Sequence, residues 1–146
     1  MAESLISIGN IDHGVVVHGC GLDEISPLGP STIYEVRNIA PDDAPKKYQM
    51  KKYKFDPMSL GIKRCKVEDL RGGDAQENAA ELRDVLSAGA HSNAKRDAVV
   101  LNAGVGVYVY GLTSSIKEGV ALARKVLESG KAITTLDDWI STTKNL

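Results

Sequence analysis

The sequence lacks several features that mark particular classes of protein. No apolar run approaches the roughly 20 residues that a membrane-spanning helix needs, and no basic stretch followed by an apolar segment opens the chain. We therefore expect neither a membrane span nor a signal peptide. Only two cysteines are present, Cys20 and Cys65, and they form no CxxC pair. This scarcity argues against a disulfide framework or a zinc site and indicates a reducing compartment.

An excess of one charge sign is also missing. The chain has 18 Lys and Arg residues against 19 Asp and Glu residues, which gives a formal net charge of -1. Because nucleic-acid-binding domains usually carry a clear basic excess, this balance argues against a nucleic-acid partner.

The composition that remains is that of a globular domain. The 146 residues, 42% of them hydrophobic and 25% charged, correspond to about one domain with an ordinary core. Residues 1–8 have the pattern of the end of an amphipathic helix, and nothing precedes them to cap it. We interpret this abrupt start as a position inside a larger domain.

Three segments have the pattern of β-strands. Residues 15–17 are consecutive valines between glycines, which predicts a strand buried on both faces. Residues 32–37 and 50–55 alternate apolar and polar side chains as short strands do. Because no helical pattern separates the last two, we predict that they pair antiparallel.

Capping signals predict two helices in the second half of the chain. Asp74, with Glu77 three residues later, predicts a capped helix over residues 75–87 that ends at Gly89. Ser115 and Glu118 predict a second capped helix that begins at Ile116 and stops at Gly130.

Two further segments are helical candidates. Residues 135–144 predict a short last helix anchored by Trp139 and Ile140. Residues 98–112 are ambiguous, because their valines and tyrosines favour a strand while Ala103, Gly104 and Gly106 allow a closely packed helix.

Asp23 and Glu24 are the leading candidates for chemistry. They follow a strand pattern and a glycine loop, a position where α/β proteins often bind ligands. Two carboxylates there are suited to Mg²⁺, which takes one or two carboxylates together with water and phosphate oxygens. The alternative is a solvated acidic pair, the commoner role of adjacent acids. His18 is a candidate acid, base or phosphate ligand, with a loop histidine as the favoured alternative.

The other candidate functional motifs are better explained by structural roles. Gly104 and Gly106 begin a dinucleotide motif that fails at Val109, and Gly72-Gly73-Asp74 fits a turn and helix cap better than an anion site. Cys20 lacks the partners of a nucleophile, and His13 and His91 lie in polar, turn-like surroundings that predict a superficial position. The lysines among aromatic residues at 46–55 fit either a single-strand binder or, as we favour, a strand with one wet face.

Several motifs, in order, resemble anthranilate phosphoribosyltransferase. They are His-Gly-Cys-Gly-Leu-Asp-Glu-Ile-Ser at 18–26, Gly-Gly-Asp-Ala-Gln-Glu-Asn-Ala at 72–79, Leu-Asn-Ala at 101–103 and Ser-Gly-Lys-Ala at 129–132. The resemblance implies an α/β fold with a partial mixed sheet flanked by helices, a fragment of the large domain of the nucleoside phosphorylase and phosphoribosyltransferase type. Residues 1–146 would be the carboxyl-terminal part of that domain, with residues 98–112 helical.

The resemblance also implies a reaction and its site. The family transfers phosphoribosyl from phosphoribosyl pyrophosphate to anthranilate in tryptophan biosynthesis, with Mg²⁺ as cofactor. Carried over to this chain, Asp23 and Glu24 would hold the metal, and His18 and Gly19 would contribute to the substrate loop. A homodimeric parent enzyme is implied, in the cytoplasm or, in a photosynthetic eukaryote, in a plastid.

The sequence departs from the family pattern in three motifs. It contains no Gly-Thr-Gly-Gly-Asp phosphate loop, no Asn-x-Ser-Thr segment and no Lys-His-Gly-Asn loop. We therefore expect the isolated chain to be inactive and to leave apolar surface open for association. The alternatives are a non-catalytic nucleic-acid-binding relative that uses its lysine strand, and one half of a split enzyme.

Overall fold

The computed structural model describes residues 1–88 and 93–144, so the predictions for Gly89 and His91 lie outside the described residues. Three strands come first in the chain, after one short helix, and four longer helices follow two 3₁₀ turns. The elements are α1 Ala2–Ile8, β1 His13–Gly19, β2 Ser31–Asn38, β3 Tyr48–Phe55, 3₁₀ turns Pro57–Leu60 and Val67–Leu70, α2 Ala75–Leu86, α3 Ala94–Val109, α4 Ile116–Glu128 and α5 Lys131–Lys144.

The strands form one antiparallel sheet in the order β1-β2-β3. This confirms the predicted pairing of the second and third strands and the α/β class, with a sheet flanked by helices. The resemblance implied a mixed sheet, whereas both strand pairs among residues 1–88 and 93–144 are antiparallel. The prediction that residues 15–17 are buried on both faces is wrong, because the three valines are only half-buried: Val15 and Val17 pack against the core and Val16 points to the opposite face.

The core lies between one face of the sheet and the helices α3 and α4. Ile33 of β2 and Leu101 of α3 are fully buried, and Val120 of α4 packs in the same cluster. Helix α1 covers part of the other face, where Leu5 lies against Gly14. No helix among residues 1–88 and 93–144 has the length and apolarity to cross a membrane.

The predicted caps of α2 and α4 both form, but one of the predicted hydrogen bonds has a different partner. The Asp74 carboxylate accepts hydrogen bonds from the Gln76 and Glu77 amides (both 2.9 Å), and the Glu77 carboxylate accepts one from the Asp74 amide (2.9 Å). Ser115 caps α4 as predicted, but Glu118 binds back to Ser114 rather than to the cap residue itself.

The last helix differs from the prediction in its start and its anchor. Helix α5 begins at Lys131, directly after Gly130, whose φ of 76° ends α4. Trp139 was expected to anchor the helix, but it is 65% exposed, so that expectation is wrong for the isolated chain. Ile140 is half-buried.

The ambiguous segment is the helix α3, capped by Asn93, whose side chain accepts a hydrogen bond from the Arg96 amide (2.8 Å). A methyl group on Gly104 would lie 2.5 Å from the backbone nitrogen of Val120, and one on Gly119 would overlap the Gly104 carbonyl. The two glycines therefore let α3 and α4 approach closely. Burial against α4 outweighs the local strand propensity of the valines.

A hydrogen-bonded cluster around Glu35 joins α3 to all three strands. Glu35 of β2 is 6% exposed. Its Oε1 accepts hydrogen bonds from His13 Nε2 (2.9 Å), Arg37 Nε (2.7 Å) and Tyr108 OH (2.7 Å), and its Oε2 accepts one from Tyr53 OH (2.9 Å). The prediction that His13 is superficial is wrong, since its side chain is only 10% exposed and bound to this buried carboxylate.

The electrostatics of this cluster favour an ionised Glu35. Burial by itself would raise the pKa of Glu35, but the hydrogen bonds from Tyr108, Arg37, Tyr53 and His13 outweigh it and lower the pKa to about 2. The same burial and the negative neighbour raise the pKa of Tyr53.

We expect acid to weaken the fold through Glu35. Its pKa falls from an ordinary 4.5 to about 2 on folding, so its contribution is complete above about pH 4.5 and is lost as the pH falls toward 2. That contribution is on the order of 3 kcal/mol. In urea unfolding, the free energy of unfolding should decrease less steeply between pH 5 and pH 3 for Glu35→Gln than for the wild type. The exposed Glu128→Gln should keep the wild-type slope, and equal slopes for all three proteins would contradict this assignment.

We expect substitution by alanine to change the stability of the fold in opposite directions at the two glycines of α3. Gly104→Ala forces a methyl group against the backbone of Val120 and should destabilise the fold by about 1–3 kcal/mol. Gly106, in the same helix, has nothing within 4 Å of the added carbon, so Gly106→Ala should stabilise by about 0.5–1 kcal/mol through helix propensity. Chemical denaturation of the two variants checks both signs.

Candidate metal-binding loop

The chain reverses direction immediately after β1. Gly19 and Leu22 exchange two backbone hydrogen bonds of 3.0 Å, and the residues between them, Cys20 and Gly21, have φ values of 55° and 89°. Positive φ at both central residues is the signature of a two-residue type I′ turn. Glycine adopts this conformation freely, while Cys20 does so at a cost of roughly 1 kcal/mol.

Asp23 and Glu24 follow this turn directly. Both side chains are exposed, and neither forms a hydrogen bond or ion pair within the part of the chain that the structure describes. No cationic side chain of residues 1–88 or 93–144 is therefore paired with their four carboxylate oxygens. Hard oxygen donors of this kind fit Mg²⁺, which is satisfied by one or two carboxylates when water or phosphate completes its shell.

Among the described residues, the two carboxylates are not part of a larger ligand cluster. No group of three or more His, Cys, Asp or Glu side chains suited to a metal occurs among residues 1–88 and 93–144. A cation held here would therefore take its other ligands from water, from a substrate or from protein outside the described residues. Mg²⁺ in proteins is commonly held in this way, by one or two carboxylates together with water and substrate phosphates.

The residue after the carboxylates is buried in the core. Ile25 is fully buried and Ser26 is 1% exposed, so the loop passes from solvent into the interior within two residues. The backbone of Glu24 crosses Gly19 so closely that a methyl group on Gly19 would overlap the Glu24 carbonyl oxygen. Only glycine at position 19 permits this crossing.

The other predicted loop residues adjoin the turn. His18 pairs with Thr32 at the end of β1 and is exposed, and Gly19 is buried beneath Glu24. Cys20 is exposed, with its Sγ 3.8 Å from the Pro30 carbonyl oxygen. The structure thus brings His18, Gly19, Asp23 and Glu24 into one turn and leaves Cys20 without a catalytic partner among the described residues.

The remaining candidates have structural roles. Gly104 lies within α3, where it packs against α4 instead of forming a nucleotide loop. Gly73 precedes α2, and its amide and carbonyl are both bound by the Asn78 side chain (2.9 Å each). The helix cap, as favoured from the sequence, accounts for Asp74.

The lysines of β3 do not form a stacking surface with their aromatic neighbours. Tyr53 donates its hydroxyl hydrogen to Glu35, and Phe55 packs against the core. Lys54 donates to Thr32 Oγ1 (2.8 Å), and the Lys52 ammonium lies 5.1 Å from the centre of the Tyr34 ring. The Tyr53 and Phe55 rings face inward and are not available to stack on the bases of a nucleic acid. This favours an edge strand with one solvent-exposed face over a single-strand binder.

Asn102 contacts the loop, although the Leu-Asn-Ala motif that contains it does not predict this contact. Its side chain binds the backbone of Ile25. A polar residue on the buried side of a helix rich in valine is the signal that could have found it, because such a residue needs a hydrogen-bond partner.

Comparison with known proteins gives a consistent result. The family model described as "Glycosyl transferase family, a/b domain" matches residues 1–133. The anthranilate phosphoribosyltransferase of Rubrobacter xylanophilus is 41% identical over 147 aligned residues, which cover 100% of this chain and 40% of that protein. That of Thermus thermophilus is 42% identical over 141 residues, which cover 97% and 38%.

Solved structures agree with the sequence relatives. The crystal structure of anthranilate phosphoribosyltransferase from Thermus thermophilus superposes with a TM-score of 0.78 at 40% identity and covers 96% of this chain and 38% of that one. The Saccharomyces cerevisiae enzyme in complex with PRPP and Mg shares the fold, with a TM-score of 0.71 at 23% identity over 90% of this chain and 35% of that one.

The similarity covers nearly all of this chain but a minor part of its relatives. The chain spans about 40% of the length of the curated relatives that it matches. The family model covers all three strands and the helices α1 to α4. The chain therefore belongs to the glycosyl transferase family and is similar over its whole length to anthranilate phosphoribosyltransferases.

Proposed function

We propose that this chain is part of an anthranilate phosphoribosyltransferase, which transfers phosphoribosyl from phosphoribosyl pyrophosphate to anthranilate in tryptophan biosynthesis. In this proposal residues 1–146 are the carboxyl-terminal part of the α/β domain. The observation that carries it is the turn after β1, which presents the free carboxylates of Asp23 and Glu24 in a chain 41% identical to such an enzyme.

The loop residues have distinct tasks in this proposal. Asp23 and Glu24 would hold Mg²⁺, which neutralises the charge of the departing pyrophosphate. Gly19 leaves space for the Glu24 backbone, and the buried Ile25 fixes the carboxyl-terminal end of the loop. His18, exposed beside the turn, would contact substrate. The homodimer and the cytoplasmic or plastid location expected of the complete enzyme stay predictions.

The family's phosphate loop bears on the activity of the isolated chain. No Gly-Thr-Gly-Gly-Asp sequence occurs in the 146 residues, so these residues do not supply the backbone amides that would cradle pyrophosphate. Two carboxylates by themselves repel a polyphosphate. Transfer therefore requires further protein, either in the same polypeptide or in a partner chain, as in a split enzyme.

We expect Asp23 and Glu24 to bind a divalent cation through their charge. Mn²⁺ binding, followed by electron paramagnetic resonance, should weaken by roughly tenfold or more in the Asp23→Asn, Glu24→Gln double variant. The chain offers a matched control in Asp42 and Asp43, an adjacent acidic pair in the β2–β3 loop that is also exposed. Asp42→Asn, Asp43→Asn should leave the affinity unchanged, and equal losses in both double variants would contradict a specific site.

We expect no phosphoribosyl transfer by the purified chain, but transfer by a chimera. The chimera replaces the matching 40% of the Rubrobacter xylanophilus relative with this chain. Loss of anthranilate fluorescence should require Mg²⁺ and should fall sharply in the Asp23→Asn, Glu24→Gln chimera. Turnover by the isolated chain would refute the requirement for further protein, and a folded but inert chimera would refute the proposed function.

A further inference from the structure

The side chain of Asn102 clamps the backbone of Ile25. Its Oδ1 accepts a hydrogen bond from the Ile25 amide (3.1 Å), and its Nδ2 donates one to the Ile25 carbonyl oxygen (2.7 Å). One side chain of α3 thus satisfies both backbone polar groups of the residue that follows Glu24. Because Ile25 is fully buried, water does not replace these bonds without opening the core.

The clamp is the second of two anchors on the loop. The first is the pair of hydrogen bonds between Gly19 and Leu22. Between these anchors, Asp23 and Glu24 take part in no backbone–backbone hydrogen bond among the described residues. The direction of their two carboxylates therefore depends on the positions of the chain at Leu22 and at Ile25.

Asn102 is itself held in place. Its Nδ2 also donates to the Ala98 carbonyl oxygen one turn earlier in α3 (2.9 Å), which restricts the rotation of the amide. Helix α3 is in turn fixed against α4 by the close contact of Gly104 with Val120. Through Asn102, the backbone of Ile25 is thus held at a fixed position relative to α3 and α4. Binding sites gain affinity when such supports hold the ligating groups in place before the ligand arrives.

We propose that Asn102 is a positioning residue, which sets the direction in which Asp23 and Glu24 present their carboxylates to a divalent cation. The proposal rests on the metal role assigned above to these two acids. Asn102 would touch neither the cation nor the substrate. It would act through Ile25, by holding the end of the loop at a fixed distance from the turn.

The chain contains a matched comparison for this clamp. Asn78 binds the amide and carbonyl of Gly73 with two hydrogen bonds of 2.9 Å, the same pattern as at Ile25. That clamp lies at the start of α2, away in sequence from the Asp23 loop. Asn78→Ala therefore removes a pair of backbone hydrogen bonds of the same pattern, at a more exposed position, without changing the support of the two acids.

The experiment measures loop order and cation binding in the same samples. The ¹⁵N-labelled full chain is compared with Asn102→Ala, Asn102→Ser and Asn78→Ala. The Ser variant retains a hydroxyl that can bind the Ala98 carbonyl but cannot span both groups of Ile25, so it serves if the Ala variant does not fold. Amide hydrogen exchange at Ile25 reports the clamp, and Mn²⁺-induced broadening of the Asp23 and Glu24 amide signals reports binding.

We expect the Asn102 variants to lose protection at Ile25 and to bind Mn²⁺ roughly tenfold more weakly, the cost typical of removing a support of a metal ligand. Asn78→Ala should keep wild-type values for both. Faster exchange at Ile25 with wild-type Mn²⁺ affinity would overturn the positioning role, and so would equal losses in the Asn102 and Asn78 variants. If the wild-type chain itself shows no broadening at Asp23 and Glu24, the proposed metal function fails and this inference fails with it.

Discussion

The close approach of α3 and α4 is the constraint on which the other contacts depend. Gly104 and Gly119 allow the two backbones to meet where side chains would separate them. With its position so fixed, α3 supplies Leu101 to the core, Asn102 to the loop and Tyr108 to the Glu35 cluster. A shift of this helix would disturb the sheet contact at one end and the loop support near its middle at the same time.

Much of the fold is accessible from the sequence because its signals are local. The capping pattern of Asp74 and Glu77 identifies the start of α2 correctly, since both partners lie within one turn of the chain. The antiparallel pairing of β2 and β3 follows from their short separation. The turn that presents Asp23 and Glu24 is also local, which explains why a short motif was enough to nominate it.

The features that the sequence does not predict depend on contacts between residues distant in sequence. His13 was expected at the surface because its neighbours are polar, but its partner Glu35 lies on another strand and Tyr108 lies on α3. Asn102 and Ile25 are separated by 77 positions, and no local pattern connects them. The helical state of α3 could not be settled from its valines, because the deciding contact is with the backbone of Val120.

The two edge strands of the sheet differ in charge. Strand β3 carries Lys51, Lys52 and Lys54, all exposed, whereas β1, His-Gly-Val-Val-Val-His-Gly, contains no lysine, arginine, aspartate or glutamate. Lysines on an edge strand oppose the addition of another strand through their charge and the cost of removing them from water. Addition of a strand to this sheet is therefore opposed beside β3 and unopposed beside β1, the strand whose last residue leads into the turn that precedes Asp23 and Glu24.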